Sequence, residues 1–124
     1  MSRTQQLAER LLAWNRRHLV ATVAISEQDI AQCFAESFVV KANGREYEAD
    51  RATYLTFLNG FKSTIAAIDY QVQEYLCDED RVVIVMGAKV RRLAGYLDAF
   101  EAMLLLKFDD RGLITLWQEV YVRR

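Results

Sequence analysis

Two long apolar segments occupy the C-terminal part of the sequence, and a turn rich in Asp and Gly (109–112) separates them. They cover residues 97–108 and 113–124. Alternation with a period of two residues is typical of β-strands, so the pattern predicts a long β-hairpin. On its second strand Trp117, Glu119 and Tyr121 share a face, but the pattern leaves open which face of the sheet that is.

The same period continues upstream in two more predicted strands. The first begins after Ala66 and runs to about Cys77, and the charged turn 78–81 separates it from the second, 82–92. Unbroken alternation places every second residue of the first strand on one face. These residues are Ile68, Tyr70, Val72, Glu74 and Leu76. The sequence therefore predicts four long antiparallel strands in succession.

Three stretches with a period of 3.6 residues predict amphipathic helices. Their ranges are about 4–20, 27–34 and 51–64. Ser26 and Asp50 are the expected N-cap residues, and Asp29 completes a capping box with Ser26. The apolar stripes consist of Leu7, Leu11, Trp14 and His18 in the first helix and of Tyr54, Leu58, Phe61 and Ile65 in the third.

A short hairpin is predicted between the second and third helices. Residues 37–42 have the composition of a strand, and residues 45–48 form the return strand. Between them stands Asn43-Gly44, which suits a type I′ turn because both central residues of that turn have positive φ.

The order of the elements predicts the fold class. At ~3.4 Å per residue the strand at 97–108 is roughly 40 Å long, and a sheet of such strands twists and bends. A bent sheet has a concave side, and the three amphipathic helices are available to cover it. We therefore predict an α+β cone, in which a curved antiparallel sheet has three N-terminal and central helices packed on its concave face.

The composition is that of a globular protein, and residues 1–124 are interpreted as a single domain. The sequence is 52% hydrophobic and 27% charged, with a formal net charge of −1. This balance argues against a nucleic-acid partner, which needs a clustered basic face. Three arginine pairs are interpreted as solvated charge, with an anion-binding patch as the alternative. The pairs are Arg16-Arg17, Arg91-Arg92 and Arg123-Arg124.

Several other classes of protein find no support in the sequence. It has no apolar run of about 18 residues and no signal-peptide core, so we expect a cytoplasmic protein without a membrane partner. Cys33 and Cys77 are far apart and predict buried free thiols rather than a disulfide or a metal site. Phosphate-loop, zinc-protease and serine-hydrolase motifs do not occur, and we expect no cofactor.

Three stretches resemble the nuclear transport factor 2-like superfamily, which includes SnoaL-like polyketide cyclases and ketosteroid isomerase-like proteins. They are AWNRRHL in the first helix, IAQCFAESFVVKANGREYEADRATYLTFL in the middle and FDDRGLITLWQEVYV at the end. The resemblance covers nearly the whole chain and implies a cavity between the sheet and the helices. Members include isomerases, cyclases, dehydratases and hydrolases, others serve only for binding or assembly, and homodimers are frequent.

The candidate catalytic residues are acids on the predicted strands, because proton transfer next to a carbonyl needs a base and donors for the oxyanion. They are Glu119, Glu101 and Asp69. The candidate ligand-binding residues come from two helices and the last strand. They are Trp14, His18, Tyr54, Leu58, Trp117 and Tyr121. The early hairpin has no carboxylate before Glu46, so no family catalytic set transfers residue by residue.

Two functions fit these observations. The first is binding of a small apolar ligand in an internal cavity, with isomerase, cyclase or lyase activity. The second is a non-enzymatic homodimeric interaction module. It is suggested by residues 100–106, which are apolar on both faces, because a monomer rarely exposes a large apolar surface. Under either function we expect a homodimer through the outer face of the sheet.

Overall fold

The computed structural model describes residues 2–124 and arranges three helices and six strands in the predicted order. The helices are α1 (Arg3–His18), α2 (Glu27–Ala31) and α3 (Arg51–Phe61). The strands are β1 (Phe34–Ala42), β2 (Arg45–Asp50), β3 (Ile65–Cys77), β4 (Arg81–Arg92), β5 (Leu97–Phe108) and β6 (Ile114–Arg123). None of the helices in the described residues has the length and apolar character needed to cross a membrane.

Side-chain caps fix where the two later helices begin, as the sequence predicted. The Ser26 hydroxyl accepts a hydrogen bond from the backbone N–H of Asp29, and the Asp29 carboxylate accepts one from the Ser26 N–H. Asp50 and Thr53 form the same reciprocal pair at the start of α3. Each pair satisfies N–H groups that the first turn of a helix leaves without partners.

All three helices end earlier than the sequence predicted, and α1 ends at His18 rather than near residue 20. The α2 helix ends at Ala31 rather than near Phe34, because Phe34 already pairs with Ile114 of β6. The α-helical part of α3 ends at Phe61, and the chain up to Thr64 tightens into a 3₁₀ turn before β3. Such turns are frequent at helix C-termini, where periodicity gives no clear signal.

The predicted hairpin turn between β1 and β2 is confirmed. Asn43 and Gly44 have φ angles of 48° and 87°, the left-handed values that a type I′ turn requires. Beyond the turn, β2 continues as far as Asp50, two residues past the predicted end, and Asp50 is also the N-cap of α3. The return strand therefore leads directly into the helix.

The six strands form one sheet in the order β2-β1-β6-β5-β4-β3. Every pairing is antiparallel except that of β1 with β6, which is parallel. The sheet is therefore mixed, whereas the sequence predicted antiparallel strands throughout. The alternation of side chains predicts strands but carries no information on which distant strand a hairpin joins. The predicted α+β cone is confirmed.

The two longer helices cover different parts of the concave face. The α1 helix packs on β3 and β4, and α3 packs on β1 and β2. The inner sides of β5 and β6 therefore lie between the two helices. At one end of the cone Leu104, Leu106 and Ile114 are at most 1% exposed and belong to one continuous apolar core. At the other end, here called the rim, Tyr121 is 37% exposed.

A bulge in β3 corrects part of the predicted alternation. The register of β3 against β4 shifts between Val72 and Glu74. After the shift Tyr75 pairs with the fully buried Ile84 and lies on the inner side, whereas Glu74 and Leu76 are exposed. One extra residue in a strand reverses the faces of all residues that follow it. Tyr75 therefore lies on the face that the sequence pattern predicted for Glu74 and Leu76.

The two cysteines differ in exposure. Both are free thiols, but Cys33 is buried and Cys77 is exposed. The prediction that both are buried is therefore wrong for Cys77, which is the last residue of an edge strand and borders an exposed turn. Burial raises the pKa of the Cys33 thiol, which keeps that thiol protonated and unreactive.

Candidate functional site

The inner side of β6 presents Trp117, Glu119 and Tyr121, which answers the question that the sequence left open. Opposite them in β5 lie Leu106, Leu104 and Ala102, in that order. Directly paired residues of neighbouring strands point to the same face of a sheet. Because the three β5 residues are buried in the core, the three β6 residues face the concave side.

Glu119 lies halfway between the core and the rim. The aromatic Trp117 precedes it on the core side, and Tyr121 follows it on the rim side. Burial raises the pKa of Glu119 to about 7, although the Trp117 indole acts in the opposite direction. A carboxyl with this pKa populates both protonation states near neutral pH, so it can accept or donate a proton.

Two tyrosines, the buried Tyr54 and the partly buried Tyr70, share the electrostatic environment of Glu119. Burial raises the pKa of Tyr54 and that of Tyr70, and the negative charge of Glu119 raises both pKa values further. Both phenols therefore stay protonated at neutral pH. Each keeps an O–H group, which is the type of donor that stabilises negative charge on a ligand oxygen.

Asn15 of α1 positions one of these phenols. Its side-chain amide donates a hydrogen bond to the Tyr70 hydroxyl at 3.0 Å, and Asn15 is 4% exposed. Because the amide uses a lone pair of the phenol oxygen, the Tyr70 O–H remains free to donate. Asn15 was absent from the predicted site residues. The sequence does offer a reason to expect a role for Asn15. It lies four residues after Leu11 on the buried side of the helix, where a side-chain amide needs a hydrogen-bond partner.

Tyr54 and Leu58 lie on the buried side of α3, where they are 5% and 3% exposed. The centre of the Tyr54 ring lies 4.9 Å from that of Phe34 and 5.0 Å from that of Phe38. Phe34 in turn stacks near Trp117, with ring centres 6.2 Å apart. This aromatic cluster joins α3 to β6 and forms the closed side of the site.

Trp14 and His18 connect the first two helices. The His18 ring stacks on Trp14 with centres 4.5 Å apart, and its Nδ1 lies 3.1 Å from the Trp14 carbonyl oxygen. Trp14 Nε1 donates to the Asp29 carbonyl oxygen at 3.0 Å, and His18 Nε2 is 3.9 Å from the Asp29 carboxylate. These contacts occupy the polar atoms of both rings and tie α1 to α2.

The other two predicted catalytic acids lie away from Glu119. Glu101 is exposed on the outer face of β5, between the inward-facing residues Phe100 and Ala102. Asp69 is exposed on β3 and accepts a hydrogen bond from Arg16 Nε at 2.7 Å, which holds the pKa of Asp69 below its usual range. The predicted set of three acids is therefore not brought together. Within residues 2–124 no three His, Cys, Asp or Glu side chains are grouped to hold a metal ion.

The outer face of the sheet carries an exposed apolar strip. This outer strip consists of Val85, Met103, Val120 and Val122. Val85, Met103 and Val120 lie in one row across β4, β5 and β6. Met103, Val120 and Val122 are 53%, 56% and 62% exposed. A shallow groove of ≈ 450 Å³ runs along the strip.

Comparison with known proteins identifies the fold. No protein-family model matches the sequence, and no curated protein gives a significant match. Solved structures do match, at low sequence identity. A SnoaL-like protein from Shewanella denitrificans OS-217 has a TM-score of 0.78 at 15% identity, over 96% of this chain and 90% of that one.

Two further solved structures agree with the first. An NTF2-like protein from Anabaena variabilis ATCC 29413 has a TM-score of 0.75 at 13% identity, over 96% of this chain and 89% of that one. An LEH-like epoxide hydrolase from M. tuberculosis has a TM-score of 0.72 at 14% identity, over 94% of this chain and 80% of that one. The protein therefore has the nuclear transport factor 2-like fold that the sequence resemblance implied.

Proposed function

We propose that the protein binds a small, largely apolar molecule at the concave face and that Glu119 exchanges a proton with it. Movement of a proton next to a carbonyl is a step common to isomerases, cyclases and lyases. The observation that carries the proposal is the Glu119 carboxyl, which lies on the concave side of β6 opposite the buried Leu104 and whose pKa burial raises to about 7. Carboxyl groups perturbed in this way are concentrated in active sites.

The remaining residues of the concave face have supporting roles in this proposal. Tyr54 and Tyr70 donate hydrogen bonds to the ligand oxygen that gains negative charge, which stabilises the transition state more than the ground state. The apolar walls are Leu58, Trp117 and Tyr121. Trp14 and His18 act indirectly, by tying α1, which carries Asn15, to α2.

The fold itself is compatible with chemistry on a small molecule. One protein with this fold is named as an epoxide hydrolase. A single fold hosts many unrelated functions, so the assignment rests on Glu119 and its surroundings rather than on the fold.

A matched pair of variants tests the role of Glu119. Glu119→Gln and Glu101→Gln each change one carboxyl to an amide on neighbouring strands, but on opposite faces of the sheet. A side-chain ¹³C NMR titration of the wild type is expected to show a carboxyl step near pH 7. Glu119→Gln removes this step and Glu101→Gln retains it. A wild-type spectrum without the step, or a step that persists in Glu119→Gln, contradicts the proposal.

A second experiment tests ligand binding. A panel of steroid-like, polyketide-like and aromatic compounds is added to the protein, and thermal unfolding is followed. A compound present at a hundred times its Kd stabilises the folded state by about 2.7 kcal/mol. Tyr121→Ala should weaken that stabilisation, whereas Val122→Ala, on the outer face, should not. Failure of every compound to raise the unfolding temperature argues against the binding function.

The outer strip favours a second candidate function, a homodimeric interaction module. Monomers rarely expose a contiguous apolar surface, and a second copy of the chain is the occupant we propose. Light scattering should give the mass of a dimer for the wild type and that of a monomer for Met103→Glu. Leu93→Glu is the control, because Leu93 is 58% exposed but lies outside the strip. A wild-type monomer at micromolar concentration overturns this candidate.

We also propose that residues 1–124 act as one domain in the cytoplasm. The single continuous core supports one domain, and the two free cysteines fit a reducing compartment. Release of a stable fragment by limited proteolysis would contradict the first statement, and recovery of the protein outside the cytoplasm on fractionation would contradict the second.

A further inference from the structure

A group of charged and aromatic residues lies at the rim, and Tyr121 is the one member of it that has a role in the proposed function. This rim cluster consists of Arg92, Asp98, Phe100, Tyr121 and Arg123. All five lie on the inner side of the sheet, since Asp98 pairs with the buried Val90 and Arg123 pairs with Phe100. Asp98 is 7% exposed although it stands near the end of a strand. A buried carboxylate is stable only when cationic groups accompany it.

Asp98 has two guanidinium partners for its one carboxylate. Its Oδ2 accepts a hydrogen bond from Arg92 Nε at 2.8 Å, and its Oδ1 lies 3.6 Å from Nη2 of Arg123. The side chain of Arg92 is 18% exposed, whereas that of Arg123 is 66% exposed. The cluster therefore has one positive charge in excess, and Arg123 presents that charge to solvent.

Arg123 is held in place while its hydrogen-bond donors stay free. Its guanidinium carbon lies 5.7 Å from the centre of the Phe100 ring, and Tyr121 packs edge-on against the same ring at 5.9 Å. Its separation from Asp98, 3.6 Å, is too long for a hydrogen bond. Over residues 2–124 the guanidinium group therefore has an ion-pair partner and an aromatic support, but no acceptor for its N–H fork.

The rim cluster and Glu119 are aligned along one strand. Glu119, Tyr121 and Arg123 occupy alternate positions on the inner side of β6. At ~3.4 Å per residue, the backbone positions of Glu119 and Arg123 are about 14 Å apart. The Tyr121 ring lies between them, so the path from the guanidinium group to the carboxyl is lined by an aromatic surface.

We propose that the ligand is an amphiphile with a carboxylate head group, which Arg123 binds at the rim while the apolar body extends past Tyr121 to Glu119. This inference rests on the proposed function, because it assumes that the concave face binds a small molecule. It adds the chemical class of that molecule and the direction in which it enters.

The geometry favours a carboxylate over other head groups. The planar fork of an arginine matches the two oxygens of a carboxylate in a bidentate arrangement. The single excess charge of the cluster is balanced by a monoanion, whereas a cationic head group would be repelled. Because Phe100 and Asp98 already restrain Arg123, binding orders few additional side-chain rotamers.

The test compares two probes that differ only in the head group, octanoate and octanamide. Their Kd values are measured by isothermal titration calorimetry at pH 8 in low salt for the wild type, Arg123→Gln and Arg91→Gln. Arg91 is the matched control, since it is an exposed arginine at the same end of the sheet on the outer face. A charge-assisted pair should make octanoate bind the wild type about tenfold more tightly than octanamide.

The inference is supported if Arg123→Gln removes this preference without changing the Kd of octanamide, while Arg91→Gln keeps it. Equal Kd values of the two probes for the wild type overturn the inference and leave the proposed function standing. A preference that survives in Arg123→Gln overturns it as well, because the charge recognition then lies elsewhere. Failure of both probes to bind any of the three proteins contradicts the proposed binding function together with this inference.

Discussion

The side-chain amide of Asn43 exchanges two hydrogen bonds with the backbone of Tyr121. The amide thereby pairs with β6 as the backbone of a neighbouring strand would. The Asn43 Nδ2 donates to the Tyr121 carbonyl oxygen at 3.1 Å, and the Tyr121 N–H donates to Asn43 Oδ1 at 2.9 Å. The Asn43 N–H also donates to the Glu119 carbonyl oxygen at 2.9 Å. The turn after β1 thereby fixes the backbone on which Glu119 and Tyr121 stand.

Removal of this side chain should destabilise the fold by a modest amount. Asn43→Gly keeps the left-handed φ of 48° accessible and loses only the two side-chain hydrogen bonds, which costs about 1–3 kcal/mol. Asn43→Ala loses the same bonds and adds backbone strain of about 1 kcal/mol. Urea denaturation measures both free energies of unfolding. Equal stability of the wild type and Asn43→Gly would show that the amide has no net effect.

Glu119 should make the stability of the fold depend on pH. Its pKa rises from 4.5 to about 7 on folding, so the folded state binds the proton more tightly than the unfolded state. The stabilisation is complete below the unfolded pKa and is lost as the pH rises through 7. The free energy of unfolding should therefore fall by up to about 3 kcal/mol between pH 4.5 and pH 8.

The same variants that test the function isolate this dependence. Glu119→Gln should remove the Glu119 contribution to the slope of stability against pH, and Glu101→Gln should leave the wild-type slope in place. Urea denaturation at several pH values between 4.5 and 8 provides the measurement. A slope shared by the wild type and Glu119→Gln means that another group titrates in this interval.

Asp69 should tolerate substitution. Its side chain is 65% exposed and pairs with that of Arg16, which is 42% exposed. Exposed ion pairs contribute about 0–1 kcal/mol, so Asp69→Asn should change the free energy of unfolding by less than about 1 kcal/mol. Ligand binding should also be unchanged. A large loss of ligand binding in Asp69→Asn would contradict this prediction and show that Asp69 takes part in the site.

Gly60 offers a site for stabilisation. It lies inside α3, and a Cβ added there meets no atom within 4 Å. Gly60→Ala should raise the free energy of unfolding by about 0.5–1 kcal/mol, because alanine has the higher helix propensity. Gly44→Ala is the control, since Gly44 also has open space but a φ of +87°. That substitution should lower the free energy of unfolding by about 1–2 kcal/mol. A higher free energy of unfolding in both variants would contradict this prediction.

The sequence contained most of the fold because each element has a local cause. The capping residues Ser26 and Asp50, the turn Asn43-Gly44 and the alternation along residues 97–108 all act within a few positions, and the structure confirms each of them. The parallel pairing of β1 with β6 and the bulge after Val72 were missed. Both depend on contacts between residues that are distant in the sequence, which periodicity cannot report.

The candidate site was predictable in part for the same reason. Alternation grouped Trp117, Glu119 and Tyr121 on one face, but only the register with β5 shows that this face is the inner one. Glu101 had a similar local pattern and lies on the outer face. Asn15 and Arg123 have roles that depend on residues distant in the sequence. Asn15 contacts Tyr70, and Arg123 is held by other residues of the rim cluster.

The central place of β6 in the sheet has a consequence for the order of folding. Until residues 114–123 have left the ribosome, β1 and β2 can pair only with each other, and β5 has an open edge. An isolated two-stranded hairpin is marginally stable, and open edges invite pairing between chains. The nascent chain therefore holds two incomplete half-sheets. The two half-sheets join only when β6, the strand that carries Glu119, pairs with both of them. The site is therefore complete only after the whole six-stranded sheet has formed.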